Sequence, residues 1–166
     1  MHINLVETDF SNVDNLLSHG QPKPTLLECV ACHSVDIVDG LPAIRAPISE
    51  VEYPGVLTEP LLIAMRWSGL QSGMIVSAKW RSPGGLESYS VEWVAPSHIN
   101  PANENMLTLQ LDKGAELPES GSYQLSISLN GVFVKTFELH VKTDTRQGEI
   151  QSGPSLSRFD PDEDAW

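Results

Sequence analysis

The chain has few of the residues that several common classes of protein need. It has only 2 cysteines among 166 residues, so it lacks the disulfide density of a small secreted scaffold. It carries 10 Lys and Arg against 22 Asp and Glu, which gives a net charge of −12. A surface this acidic repels nucleic-acid phosphates and anionic lipids. We therefore expect neither a nucleic-acid nor a membrane partner.

Long apolar runs and targeting features are also missing. No stretch approaches the roughly 18 consecutive apolar residues of a membrane span. The first residues, MHINLVETDFSNVDNLL, have neither the basic nor the apolar region of a signal peptide. These features predict a cytoplasmic protein. Apolar residues still make up 40% of the chain, which is enough for one hydrophobic core.

What the chain does contain is most clearly seen in residues 121–141, GSYQLSISLNGVFVKTFELHV. Apolar and polar residues alternate up to Asn130, as in a strand with one buried face. Asn130 and Gly131 favour a two-residue hairpin turn, because both positions need positive φ. In a strict hairpin register the apolar phase slips between Val134 and Phe137. The slip predicts a β-bulge near Lys135 and Thr136, or a last strand buried on both faces.

Similar strand patterns recur along the chain. A second hairpin turn is predicted at Asp39 and Gly40, and its return strand contains Pro42 and Pro47. Proline cannot donate a hydrogen bond to a neighbouring strand, so the return strand should lie at a sheet edge. The predicted strands before the final hairpin are 26–38, 43–46, 61–68, 74–81, 87–95 and 106–112.

About eight short strands separated by turns predict an all-β fold, a single Ig-like antiparallel β-sandwich. We assign the sandwich to residues 26–142. Residues 1–25 are predicted to be an N-terminal arm with a short helix that begins at Ser11 and ends near Gly20. Residues 143–166 are predicted to be an acidic, flexible tail.

Cys29, Cys32 and His33 match the C-x-x-C-H pattern of covalent haem attachment. The same pattern could also indicate a zinc site or a redox-active pair of cysteines. In a strand, however, residues three apart point to opposite faces, so the two thiols could not hold one cofactor. We therefore expect no cofactor and no metal, with Cys29 in the core and Cys32 partly exposed. A haem or redox protein remains the least favoured functional alternative.

Two further sets of residues could form binding surfaces. The aromatic residues of the strands favour the core, since they share the apolar phase, but they could also form a stacking surface for a sugar or a base. They are Tyr89, Trp67, Trp80 and Trp93. Four basic residues could bind a small, nucleotide-like anion if the fold brought them into one pocket. They are Arg45, Arg66, Lys79 and Arg81.

The last eight residues, FDPDEDAW, form an acidic segment with an aromatic residue at each end. The segment resembles the acidic tip of bacterial single-stranded-DNA-binding proteins, which docks onto basic pockets of partner proteins. The resemblance implies a docking motif that contacts a basic partner or a neighbouring subunit, with Trp166 and its carboxylate as anchor. The candidate docking residues are Phe159, Asp160, Asp162, Glu163, Asp164 and Trp166.

The segments CHSVDIVDGLPAI, LLIAMRW, GMIVSAKW, SPGG and GSYQLSISLNG resemble a group of uncharacterised bacterial Ig-like β-sandwich proteins. The resemblance covers residues 29–81 and 121–141 and implies the fold only. With no catalytic motif in view, we expect no enzyme. We expect instead a binding or assembly module of bacterial or phage origin that contacts a basic protein partner. A homo-oligomer is compatible with this interpretation.

Overall fold

The computed structural model of the protein describes residues 1–6, 22–52 and 54–143. These residues form twelve strands and contain no helix long and apolar enough to cross a membrane. The strands are β1 (His2–Val6), β2 (Thr25–Val38), β3 (Leu41–Ile48), β4 (Glu50–Val51), β5 (Gly55–Val56), β6 (Leu61–Ser68), β7 (Ile75–Arg81), β8 (Glu87–Val94), β9 (Glu104–Leu111), β10 (Glu116–Leu117), β11 (Gly121–Leu129) and β12 (Val132–Val141).

The strands build two five-stranded sheets that face each other. The first sheet has the order β1-β9-β6-β2-β3, and the second has the order β4-β12-β11-β7-β8. A two-stranded ribbon of β5 and β10 stands beside them. The predicted all-β sandwich is therefore confirmed, and all the long strands pair antiparallel. The short β4 is the exception, because it pairs with the end of β12 in parallel.

The core lies between the two sheets and follows from the alternation of each strand. On β6, Ile63, Met65 and Trp67 are completely buried, and Ala78 and Trp80 of β7 face them from the other sheet. Each large apolar side chain removed from water contributes roughly 1.5–3 kcal/mol. The period-2 pattern of the sequence thus selects the inner faces of both sheets correctly.

Both predicted hairpin turns are present. Asn130 and Gly131 have φ values of 49° and 77°, and Asp39 and Gly40 have φ values of 53° and 76°. Such left-handed pairs are typical of the tight turns that match the twist of the flanking strands. The return strand β3 lies at the edge of the first sheet, as its prolines predict.

The β11–β12 hairpin contains the predicted bulge. Ile127 pairs with Lys135, whereas Ser128 pairs with Phe133, so Val134 is the extra residue. The bulge lies one position before the predicted pair Lys135 and Thr136. It returns Phe137 to the inner face, where Phe137 packs against the core.

Three parts of the sequence interpretation need correction or lie beyond the described residues. Two segments that were predicted to be loops contain the short strands β4, β5 and β10. These strands were missed because each has only two residues, too few to show an alternating pattern. Residues 2–6, assigned to the arm, pair with β9 as an edge strand. The predicted helix between Ser11 and Gly20 and the tail after residue 143 lie outside the described residues.

Tyr123 stabilises the connection between β10 and β11. The phenol oxygen of Tyr123 accepts a hydrogen bond of 2.9 Å from the backbone N–H of Glu119. The ring of Tyr123 stacks on Trp80, with ring centroids 5.9 Å apart and planes 24° apart. The carboxylate of Glu119 in turn accepts a hydrogen bond of 2.8 Å from the N–H of Gly84. One tyrosine thus joins the end of a connection to the core and, through Glu119, to a neighbouring turn.

Candidate functional site

The C-x-x-C-H segment lies inside β2, and its three side chains point to different places. Cys29 is partly buried against the main core between the sheets. Cys32 is fully buried on the opposite face, in a second cluster with Ala64 and Met106. His33 is exposed. The prediction that the thiols point to opposite faces is confirmed.

Cys29 packs against the core as expected, although it is only partly buried, whereas the expected partial exposure of Cys32 is wrong. Cys32, rather than Cys29, is the fully buried one. The reason is that apolar side chains also cover part of the outer face of the first sheet, which strand periodicity does not reveal. Burial raises the pKa of the Cys29 thiol to about 12, and it also raises the pKa of Cys32. Both thiols are therefore protonated at neutral pH and are poor nucleophiles.

His33 lines a cleft of about 410 Å³ that also contains three glutamates. Its Nδ1 atom is 3.7 Å from Oε2 of Glu59. Glu50 and Glu52 also line the cleft, and Oε1 of Glu50 is 2.7 Å from Nζ of Lys142. Among the described residues, no three metal-ligating side chains come together here or elsewhere.

The four basic residues proposed for an anion site do not converge. Arg66 alternates with buried residues of β6, so it lies on the outer face of the first sheet. Lys79 and Arg81 alternate with buried residues of β7 and lie on the outer face of the second sheet, which points the opposite way. Arg45 lies on the edge strand β3.

Each of the three arginines also has a carboxylate partner. Arg45 lies 3.1 Å from Asp36, and Arg81 lies 3.2 Å from Glu87. Arg66 lies between two carboxylates, at 3.4 Å from Glu28 and 3.7 Å from Glu104. These pairs are on the surface, so their contribution to stability is small, but they neutralise the charge that an anion would need.

The aromatic residues mostly occupy the core, as their phase predicts. Trp67 and Trp80 are completely buried, and Trp93 is partly buried against the same cluster. Tyr89 differs, because its side chain lies on the edge strand β8 and is 42% exposed. No stacking surface of several aromatic rings is present among the described residues.

The surface that stands out is a groove of about 600 Å³ beside the tip of the β11–β12 hairpin. We call it the hairpin groove. One wall is the segment that enters β2, and the other is the hairpin turn with the start of β12. The residues that line it are Lys23, Pro24, Thr25, Leu26, Leu129, Asn130, Val132, Phe133 and Val134.

Three consecutive apolar side chains are exposed on the hairpin wall. Val132 is 68% exposed, Phe133 is 61% exposed and Val134 is 38% exposed. Alternation would normally bury one side chain in two, but the bulge at Val134 interrupts it at the open side of the sandwich. Contiguous exposed apolar residues are uncommon on soluble proteins and are typical of interaction surfaces or of aggregation-prone segments.

Two lysines flank these apolar side chains. Lys23 lines the groove, and Lys135 follows Val134 directly. The positive charge of Lys135 partly opposes the rise in the pKa of Cys29 on β2, which burial causes. Within the described ranges, neither lysine lies within 4.0 Å of a carboxylate, in contrast to the three arginines. The groove thus combines exposed apolar side chains with the positive charge of Lys23, on a protein whose net charge is strongly negative.

The hairpin groove was not among the sequence-based candidates. A signal for it is present, since VFV follows the Asn130–Gly131 turn at the point where the apolar phase slips. Lys23 gave no signal, because it is far from residues 132–134 in the sequence and lines the same groove only in the folded chain. The tail residues proposed for docking, from Phe159 to Trp166, lie outside the described residues.

The topology defines an immunoglobulin-like β-sandwich. In chain order, β2, β6 and β9 occupy the places of strands A, B and E, while β7, β11 and β12 occupy those of C, F and G. Tyr123, at the start of β11, forms the tyrosine corner of that fold, and the buried Trp80 lies on the strand that corresponds to C. The inter-sheet disulfide of antibody domains has no counterpart, because both cysteines are free.

Comparisons with known proteins give likenesses in structure rather than in sequence. No family model and no curated protein matches the chain. An immunoglobulin-like protein from Pseudomonas aeruginosa is similar in structure at 14% identity and a TM-score of 0.46, over 75% of this chain and 100% of that one. The C-terminal domain of wzt is similar at 11% identity and a TM-score of 0.46, over 76% of this chain and 77% of that one.

Proposed function

We propose that the protein is a non-enzymatic binding module that acts through protein–protein contacts, with the hairpin groove as its contact surface. The observation that carries this proposal is the run of exposed apolar residues 132–134 on the wall of the groove. Burying these side chains against a partner would supply roughly 25 cal/mol for each Å² removed from water. Phe133 is the natural anchor, because aromatic side chains dominate the energy of protein interfaces.

The chemistry elsewhere in the molecule supports binding over catalysis. Cys32 is buried and Cys29 is partly buried, and burial raises the pKa of both thiols. His33 is exposed, with its Nδ1 atom 3.7 Å from Glu59. The groove itself contains no acid–base pair. Its lysines and apolar side chains suit a protein segment that carries both carboxylates and apolar residues.

The test compares two exposed apolar positions. Phe133→Ser removes the anchor of the groove, and Leu86→Ser is the matched control, because Leu86 is 71% exposed on the turn before β8. Tagged wild type and both variants are used to retain proteins from an extract of the source cells, with mass spectrometry as readout. We expect a specific set of proteins to be lost with Phe133→Ser and kept with Leu86→Ser. Equal retention by all three chains would contradict the proposal.

A further inference from the structure

We propose that the hairpin groove binds the acidic C-terminal segment of its own chain, residues 159–166, so that the protein covers its own contact surface. This inference rests on the proposed function, since it takes the groove to be a site for protein segments. The inference adds which protein segment binds in the groove before any external partner does. It also makes access to the groove dependent on displacing that occupant.

The chemistry of the segment matches that of the groove. The segment FDPDEDAW has four carboxylates between two aromatic side chains. The groove has exposed apolar side chains at 132–134 and is lined by Lys23, and Lys135 is the next residue of β12 after Val134. Both lysines lack a carboxylate partner among the described residues, although the chain has an excess of acids. An aromatic side chain in the groove, with acids next to the lysines, would satisfy both the apolar and the charged groups.

The connection is long enough. The chain leaves β12 at Val141, and the groove lies at the other end of the same strand near Phe133. Eight residues at about 3.4 Å each separate the two ends by about 27 Å. The 17 steps from Lys142 to Phe159 can reach up to about 56 Å. The segment can therefore return to the groove of the chain that carries it.

Tethering favours the chain's own segment over that of a second copy. A short connection holds a ligand at an effective concentration on the order of millimolar. At micromolar protein concentration, the segments of other molecules are present at a far lower concentration than the tethered one. The intramolecular contact is therefore populated first, and it does not depend on protein concentration.

The mode of binding follows from the edge of β12. Beyond its short pairing with β4 at His140 and Val141, the outer edge of β12 has no strand beside it in the described part of the chain. The bulge at Val134 and the charge of Lys135 both oppose the addition of another strand there. Pro161 in the segment also lacks a backbone donor. We therefore infer binding through side chains in the groove rather than through strand pairing.

The experiment uses the full chain throughout. The probe is a fluorescein-labelled peptide, FDPDEDAW, and its binding is followed by fluorescence anisotropy at low salt. A full-length variant with a neutral segment carries four substitutions: Asp160→Asn, Asp162→Asn, Glu163→Gln and Asp164→Asn. We expect the probe to bind this variant at least about tenfold more tightly than wild type, because the wild-type segment occupies the groove.

Charge reversals locate the site. In the variant with the neutral segment, adding Lys135→Glu or Lys23→Glu should lower the affinity for the labelled peptide about tenfold. Lys113→Glu is the control, because Lys113 lies on a turn that contacts Leu57, near the His33 cleft and far from the groove. Circular dichroism and the thermal midpoint establish that each variant is folded. Two separate lysines, one in the groove lining and one directly after Val134, keep the test decisive if one variant fails to fold.

Three results would overturn the inference. The first is equal affinity of the probe for wild type and for the neutral-segment variant, and the second is no binding to either. The third is a wild-type dimer in sedimentation that dissociates in the neutral-segment variant, which would assign the groove to a second copy. The proposed function is judged separately by the Phe133→Ser comparison. If the probe results fail while that comparison succeeds, the groove binds external partners only.

Discussion

Gly69 packs directly against the backbone of Lys23, at the entrance to β2 and the wall of the hairpin groove. A Cβ atom on Gly69 would lie 2.9 Å from the carbonyl oxygens of Lys23 and of Pro22. Gly69 also has a φ of 72°, in the left-handed region that favours glycine. The turn after β6 therefore positions one wall of the groove through a contact that only glycine permits.

Gly69→Ala should therefore destabilise the protein by roughly 3 kcal/mol or more, since it adds backbone strain and a clash with main-chain atoms. Gly73→Ala is the matched control. Gly73 has a φ of 80° but open space around its Cα, so we expect a cost of only about 1 kcal/mol. Urea unfolding measures both values. Similar losses in the two variants would show that the contact with Lys23 is unimportant.

Removing the phenol oxygen of Tyr123 should weaken the corner at the start of β11. Tyr123→Phe keeps the ring on Trp80 but leaves the N–H of Glu119 without its acceptor. We expect a loss of about 1–2 kcal/mol in the free energy of unfolding. Tyr89→Phe, at an exposed position, should change stability by less than about 0.5 kcal/mol. A loss for Tyr89→Phe as large as that for Tyr123→Phe would contradict this assignment.

The two hairpin turns allow the side-chain bond of Asn130 to be measured. Asn130 and Asp39 occupy the same left-handed turn position, but only Asn130 also accepts a hydrogen bond, of 2.8 Å, from the N–H of Ile75. Asn130→Ala should cost about 2 kcal/mol and Asp39→Ala about 1 kcal/mol. Thermal or urea unfolding of both variants provides the comparison. The prediction fails if Asp39→Ala proves the more damaging substitution.

The buried Cys29 thiol predicts a loss of stability in alkali. Its pKa is raised from 9.0 to about 12 in the folded protein, mainly by burial. The unfolded chain therefore ionises first, so the stabilisation is complete below pH 9 and is lost as the pH rises towards 12. Between pH 7.5 and pH 10, wild type should lose roughly 1 kcal/mol more than Cys29→Ala. The free energy of unfolding of both proteins is measured by urea unfolding across this pH range. If it falls equally with pH in wild type and Cys29→Ala, the raised pKa of Cys29 is contradicted.

Much of the fold could be predicted because the long strands have one buried face and one wet face. In β11 apolar and polar side chains alternate strictly, and in β6 and β7 every second residue is buried, so the inner faces of all three strands were predicted correctly. The edge position of β3 followed from Pro42 and Pro47, which cannot donate to a neighbour. Strands of two residues, such as β4, have no period to detect. Their pairing depends on which chain segments pass close by.

The candidate sites were less predictable, because they depend on positions far apart in the sequence. The opposite orientation of Cys29 and Cys32 followed from their spacing. The complete burial of Cys32 did not, since it depends on a second apolar cluster that includes Met106 of another strand. Likewise, no local pattern shows that Arg66 and Lys79 point away from each other on the two sheets.

The β11–β12 hairpin shows which features the sequence determined and which depended on the tertiary structure. The sequence alone determined its turn, through the tolerance of Asn130 and Gly131 for positive φ, and its bulge, through the slip of the apolar phase before Phe137. Only the tertiary structure decided that residues 132–134 stay exposed and that Lys23 lies beside them. Turns and bulges obey local backbone geometry, whereas exposure and charge juxtaposition depend on which strands the whole sandwich packs together.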